Sequence, residues 1–197
     1  MTTRQRIRRR NIGILILLLA GLVGFSVVEG VALPRQNQRE AEYQAAQNNP
    51  LTHDIARTAK FQTRYMGDAS KVGGLFGSLP IGPIRSFAMD PGVFTVQINL
   101  DSSAPRAGAD RDRAYLYSAT AAFAYIDNLE AVIYNEGSAA YRVTREDLLA
   151  WYDTDTFSSL TASNTAWKAV VQDKLADPEY AQRAFRELFR ESETLSD

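Results

Sequence analysis

The sequence contains no cysteine and a single histidine, His53. The lack of cysteine excludes disulfides, thiolate metal ligands, cysteine nucleophiles and a lipid-modified N-terminal cysteine. One histidine also excludes a metal site built on several imidazoles. We therefore predict no metal site and no cofactor, and we interpret His53 as a surface or capping residue.

Catalytic motifs are missing as well. No G-x-S-x-G nucleophile elbow occurs. The glycine run Gly73–Gly77 lacks the Gly-Lys-Ser/Thr ending of a phosphate-binding loop. Asp153 and Asp155 start a D-x-D pattern, but Phe157 breaks the calcium-binding loop that this pattern would open. The sequence thus predicts no catalytic residue and favours a protein that is not an enzyme.

Charge is distributed unevenly along the chain. The formal net charge is -1 over 197 residues. From Pro34 onward there are 17 basic and 22 acidic side chains, a balance of -5. Such a mildly acidic region has no electrostatic footprint for nucleic acid, so no nucleic-acid partner is expected.

One long apolar run lies near the N-terminus. Ile12–Val28 has Ser26 as its only polar residue, and extension to Leu33 gives a length close to the roughly 20 residues that cross a bilayer. We predict a transmembrane helix over 12–33, in contact with the lipid bilayer. Its anchoring side chains are Ile12, Leu15, Leu18, Leu22, Phe25 and Val28.

Arginines before this run set the expected orientation. Positive residues mark the cytoplasmic side of a membrane helix, and residues 1–11 are accordingly predicted to be a cytoplasmic stub. The rest of the chain is then extracytoplasmic. A cleaved signal peptide, with small residues at Gly30-Val31-Ala32, is the alternative, although the apolar run exceeds the usual 7–15 residues. The arginines are Arg4, Arg6, Arg8, Arg9 and Arg10.

The remaining chain divides into three predicted regions. Residues 34–60 are a stalk with a short helix, residues 61–152 an α+β domain, and residues 153–197 a C-terminal helical extension. Alternating apolar and polar residues from Val93 to Leu100, with Phe94 in the apolar set, indicate a half-buried strand. With the other predicted strands, this gives a four-stranded, mainly antiparallel sheet. Those strands are 84–89, 129–134 and 139–143.

Helix signals surround the strands. Asp68 is predicted to cap a helix that ends before Pro80, and Thr144 opens another in a capping-box pattern. Asp177 followed by Pro178 starts a final helix, expected to reach about Glu191. Two further helices are predicted over 111–128 and 165–176. Segregated strands and helices in this order indicate the α+β class.

Four segments resemble a bacterial family of domains of unknown function. They are Tyr65–Pro80, an alternating strand ending Asn99-Leu100-Asp101, a helix ending Ala124-Tyr125-Ile126-Asp127-Asn128, and Tyr141–Leu148. The resemblance covers about residues 60–152. Members of that family occur behind a single membrane helix or a lipoprotein signal, and some are attached to sensor-type membrane metallopeptidases. The resemblance implies a membrane-anchored extracytoplasmic domain and carries over no catalytic residue.

Together these observations favour a non-catalytic binding or sensing module at the cell envelope, with an unidentified membrane or envelope protein as partner. An envelope enzyme using Asp/Glu acid–base chemistry, or a structural accessory subunit of a membrane complex, is the alternative. Tyr65, Asp68 and Ser70 are the predicted binding residues, because a conformationally demanding loop is more often functional than a core stripe.

Overall fold

The computed structural model describes residues 33–101, 103 and 106–193. The chain divides into two compact units, Met1–Ala45 and Ala46–Asp197. In the first unit the described residues belong to helix α1, Leu33–Gln47. The predicted anchor lies outside the described residues except for Leu33, as do its six named side chains and the five arginines. Within the described ranges, no helix combines the length and apolar character needed to span a membrane.

The second unit starts with helical elements. A 3-10 helix, Ile55–Phe61, precedes α2, Ala69–Ser78. Asp68 caps α2 as predicted, since its carboxylate accepts a hydrogen bond from the Lys71 backbone N–H. Val72, Leu75 and Phe76 of α2 are buried.

A sheet and its crossover helix form the centre of this unit. The strands are β1 (Ile84–Asp90), β2 (Thr95–Leu100), β3 (Ala131–Glu136), β4 (Ala139–Thr144) and β5 (Arg190–Glu193). They are ordered β1-β2-β3-β4-β5. Helix α3, Gly108–Tyr125, joins β2 to β3, which pair in parallel, whereas the other three pairings are antiparallel.

The α+β class and the predominance of antiparallel pairing are confirmed, but the predicted count of four strands is wrong. Helix α7, Pro178–Leu188, ends earlier than Glu191, and Arg190–Glu193 pairs with β4 as the fifth strand. This strand, Arg-Glu-Ser-Glu, contains no apolar residue. It therefore carried no pattern that distinguished it from the end of a helix.

Several short helical elements follow β4 in the chain. They comprise α4 (Arg145–Tyr152), α5 (Asn164–Trp167), a π-helical turn (Lys168–Gln172) and α6 (Asp173–Leu175), with a short 3-10 turn at Phe157–Ser159. Thr144 caps α4 and Asp177 caps α7, as predicted.

One face of the sheet contacts the helices and the other is open. Val96, Ile98 and Tyr134 are fully buried on the helical face. The open face carries mostly small and polar residues, including Asn99 and Asn135, with the half-buried Ile133 as an apolar exception. Asn135 donates a side-chain hydrogen bond of 2.7 Å to the Asn99 side-chain oxygen. The core therefore lies between one sheet face and α3, which packs against α7.

Candidate functional site

Three large apolar side chains are exposed in the described part of the chain. Tyr65 is 67% exposed, Val93 59% and Phe94 43%. Exposed apolar residues in isolation are ordinary, and a cluster of them is the informative case. We call these three residues the apolar tip.

Backbone contacts place Phe94 and the neighbour of Tyr65, Met66, beside one loop, and Val93 directly precedes Phe94 in the chain. The Phe94 carbonyl accepts hydrogen bonds of 2.8 Å from the Glu130 N–H and 3.3 Å from the Ala131 N–H. The Met66 N–H donates a hydrogen bond of 2.7 Å to the Asn128 side-chain oxygen. Tyr65 and Phe94 therefore flank the same short connection between α3 and β3.

Phe94 was predicted to be a buried strand residue, and this prediction is wrong. The residue precedes β2, has φ +49°, and lies in the turn that follows β1. A positive φ is rare for a bulky side chain and is maintained only when neighbouring contacts impose it. Here the two hydrogen bonds to its carbonyl impose the turn, which directs the ring out of the strand alternation.

The other predicted binding residues have different environments. Asp68 uses its carboxylate as the helix cap, accepting from Lys71 N–H at 3.0 Å. Ser70 is an exposed residue in the first turn of α2. The loop thus brings Tyr65 into the apolar tip, while the position of Asp68 is explained by the start of the helix.

A cavity of about 600 Å³ adjoins the tip through Glu130. Its lining contains four carboxylates and one guanidinium, that of Arg145. The Arg145 guanidinium is directed toward the protein backbone, since it donates hydrogen bonds to the carbonyls of Leu129 at 2.7 Å and Ile126 at 2.6 Å. The cavity is therefore acidic. The lining residues are Glu130, Arg145, Glu146, Leu149, Ala150, Asp153, Thr154 and Asp155.

The sequence patterns that could have indicated the cavity are weak. Asp153 and Asp155, which form the D-x-D pattern of the sequence, both line it. Asp153 adopts φ +52° as the C-terminal cap of α4. Among the described residues, no group of three or more His, Cys, Asp or Glu side chains is arranged to hold a metal ion.

His53 is buried, with 4% exposure, contrary to its predicted surface position. Its Nε2 lies 2.9 Å from the Ser78 carbonyl, which only accepts, so Nε2 carries the proton. Nδ1 then accepts from the Tyr117 hydroxyl at 2.8 Å, and that hydroxyl accepts from Trp167 Nε1–H at 3.1 Å. Burial lowers the pKa of His53 below its usual 6.5, which favours this neutral form.

Gln172 completes this buried network. Its side-chain amide donates hydrogen bonds of 2.9 Å to the carbonyls of Pro50 and His53. The residue belongs to the π-helical turn, and such turns often occur at functional sites. Each polar contact of this network joins two separate segments of the chain. The network therefore has a structural role, which is to hold residues 50–53 in place.

A second polar cluster lies at the start of α3. Arg111 donates to the Asp112 carboxylate at 3.0 Å and to the Tyr141 hydroxyl at 3.2 Å. Burial raises the pKa of Asp112 above its usual range. The neighbouring cavity, lined by Tyr115 and Glu136, has a volume of only about 10 Å³. A space of that size holds no more than one water molecule.

Residues 59–145 match a family described as Domain of unknown function (DUF4825). The match confirms the resemblance to a domain of unknown function and covers Tyr65, Val93, Phe94 and Glu130. No curated protein matches the chain, and no solved structure matches it.

Proposed function

We propose that the chain is a membrane-tethered, non-catalytic binding module of the cell envelope, and that the apolar tip is its binding surface. The observation that carries the proposal is that the exposed Tyr65, Val93 and Phe94 lie in two segments that both bond to the loop between α3 and β3. Aromatic side chains are enriched at the centres of protein interfaces, where their burial supplies much of the binding free energy.

The acidic cavity beside the tip indicates which side chains the partner carries. Four carboxylates against one guanidinium attract basic side chains, and complementary charge steers association and fixes register. The partner is a polypeptide segment that places apolar residues on the tip and Lys or Arg beside the cavity.

The position of the tip also suits this role. The Asn48 carbonyl accepts a hydrogen bond from Arg106, just before α3 begins. The tip flanks the connection after α3 ends, and an 18-residue helix is about 27 Å long. A partner at the tip would therefore not compete with the residues that begin the second unit.

An enzyme using carboxyl acid–base chemistry is supported less well. Such chemistry needs a carboxyl group of raised pKa that converges with a second carboxyl group on a space for substrate. The cavity of about 600 Å³ offers carboxylates and space, but Asp112, whose pKa is raised, does not line it. Asp112 has a raised pKa, but it is engaged by Arg111 and the adjacent space is too small for a substrate.

Photo-crosslinking in cells tests the proposal. The photoreactive amino acid p-benzoylphenylalanine replaces Phe94 in the full chain, and exposed Thr165 receives it in the control. We expect a discrete protein adduct from position 94, at least about tenfold more abundant than from position 165. The reason is that a partner bound to the apolar tip lies against position 94 and not against position 165. Equal yields at both positions, or no adduct from position 94, would contradict the proposal.

A charge-reversal arm tests the chemistry of the partner. Glu146→Lys in the cavity lowers the yield of the adduct several-fold, whereas Glu187→Lys, at an exposed position of α7, leaves it unchanged. Both variants add the same charge, so only a local interaction separates them. If the two variants behave alike, the basic character of the partner is wrong while the tip itself stays supported.

A further inference from the structure

The two edges of the sheet differ in their protection. Edge strands expose unpaired backbone N–H and C=O groups, and proteins commonly protect them with short strands, charges or proline. β5 has four residues, three of them charged (Arg190, Glu191 and Glu193). β1 has seven residues, and its stretch from Ser86 to Met89 contains no charge and no proline.

The edge of β1 is also accessible. Ala88 is exposed, whereas Ala131 and Ala140, on the same open face of the sheet, are buried. Within the described ranges, the backbone hydrogen bonds of β1 go to β2 and to no other element. β1 therefore offers a strand-length set of backbone donors and acceptors to a further strand.

The regular part of β1 has a centre. A register shift between Ile84 and Ser86 leaves Arg85 as a bulge, so the regular stretch runs from Ser86 to Asp90. Ala88 is its middle residue. A two-fold axis through Ala88 would place Ser86 opposite Asp90 of a second copy, and Phe87 opposite Met89.

We propose that β1 is a homodimerisation edge, on which a second copy of this chain pairs antiparallel about Ala88. Two five-stranded sheets then join into one continuous ten-stranded sheet. The proposal goes beyond the proposed function, because it concerns β1 and the apolar tip is not needed for it.

The residue pattern favours a second copy over an unrelated strand. In this register the half-buried Phe87 and Met89 cover each other across the new strand pair. The Asp90 carboxylate meets the Ser86 hydroxyl and lies near the exposed Arg85 of the other copy, and no like charges oppose each other. A single strand pair is a small interface, so the dimer is concentration-dependent and is favoured when both copies are confined to one membrane.

The absence of cysteine allows a clean test by disulfide crosslinking. Ala88→Cys is made in the full chain, and Arg190→Cys, also exposed in an edge strand, is the matched control. The producing cells are oxidised with diamide, and their total protein is analysed on a non-reducing gel, so the result does not depend on the membrane tether. Residues directly opposed in an antiparallel pair have Cα atoms about 4.5–5.5 Å apart, within disulfide range, so Ala88→Cys should crosslink at least about tenfold faster. Equal rates, or no dimer from Ala88→Cys, would overturn the proposal.

A double variant tests the register. Ser86→Cys combined with Asp90→Cys should form dimers several-fold faster than Ser86→Cys alone, because each cysteine then faces its counterpart. A single Ser86→Cys variant that crosslinks as fast as the double variant would contradict the axis at Ala88. Phe94→Ser removes the ring of the apolar tip and should leave the Ala88→Cys crosslinking rate unchanged, so failure of the dimer and failure of the tip are read separately.

Discussion

Two regions of the second unit reverse the usual arrangement of apolar residues inside and polar residues outside. The buried network of His53, Tyr117, Trp167 and Gln172 places polar groups in the interior. The apolar tip of Tyr65, Val93 and Phe94 places large apolar side chains in solvent. Both are departures from ordinary burial, yet they have different explanations.

The two regions differ in whether contacts within the fold explain the unusual burial or exposure of their residues. In the network, the His53 nitrogens, the Tyr117 hydroxyl, the Trp167 indole N–H and the Gln172 amide all have hydrogen-bond partners. Burial costs little when such groups are satisfied, and the contacts fasten distant segments together. At the tip, none of the three side chains belongs to the hydrophobic core. A departure that the fold does not explain is therefore the better indicator of function.

The largest expected effect is on the buried side of this comparison. Trp167→Ala should lower the free energy of unfolding by about 3–5 kcal/mol, because Trp167 is fully buried and its removal leaves a cavity. Urea denaturation of the full chain, followed by the fluorescence of Trp151, measures the loss. Thr165→Ala, exposed two residues earlier, is the control and should change little. A loss below about 1 kcal/mol would contradict the structural role of this region.

A smaller loss of unfolding free energy is expected when the side chain at position 172 keeps its size but no longer donates hydrogen bonds. Gln172→Leu leaves the carbonyls of Pro50 and His53 without the hydrogen bonds that they accept. The expected cost is about 1–3 kcal/mol, the penalty of an unsatisfied buried polar group. The exposed variant Gln62→Leu is the comparison in the same denaturation experiment. Similar effects of the two variants would mean that the amide is dispensable.

Acid should weaken the network through His53. Because burial lowers its pKa in the folded state, the unfolded chain binds the proton more readily. The contribution of the neutral imidazole is fully present above pH 6.5 and is lost as pH falls from 6.5 toward the lower folded pKa. The slope attributable to one proton is at most about 1.4 kcal/mol per pH unit.

Unfolding free energies measured from pH 7.5 to pH 5 check this dependence. His53→Gln removes the only histidine, so its profile should be flatter than that of the parent chain. Parallel profiles for the two chains would show that another group is responsible.

Local signals made several features predictable from the sequence. The Asp68 cap and the buried set Val96, Ile98 and Leu100 follow from patterns of a few residues, and the structure confirms them. The fifth strand was not predictable, because β5 is held by backbone pairing and is mostly charged.

The two exceptional regions were predictable only in part. Tyr65 was predicted to be a binding residue from its loop, and this stays a prediction. Phe94 continued the alternation of β2, and only the turn shows that the pattern begins after it. His53 contacts Ser78 and Tyr117, which lie 25 and 64 residues further along the chain. Contacts at such separations leave no local pattern, so a lone histidine gave no indication of burial.

The most direct test of the central claim measures stability and binding in the same variant. Phe94→Ser is made in a full chain that carries the photoreactive p-benzoylphenylalanine at position 65. We expect the unfolding free energy to change by no more than about 0.5 kcal/mol, because an exposed ring contributes little to the fold, while the adduct formed from position 65 falls at least about tenfold. A Phe94→Ser chain that is clearly destabilised, or that keeps its full adduct yield, would contradict the assignment of the apolar tip as a binding surface.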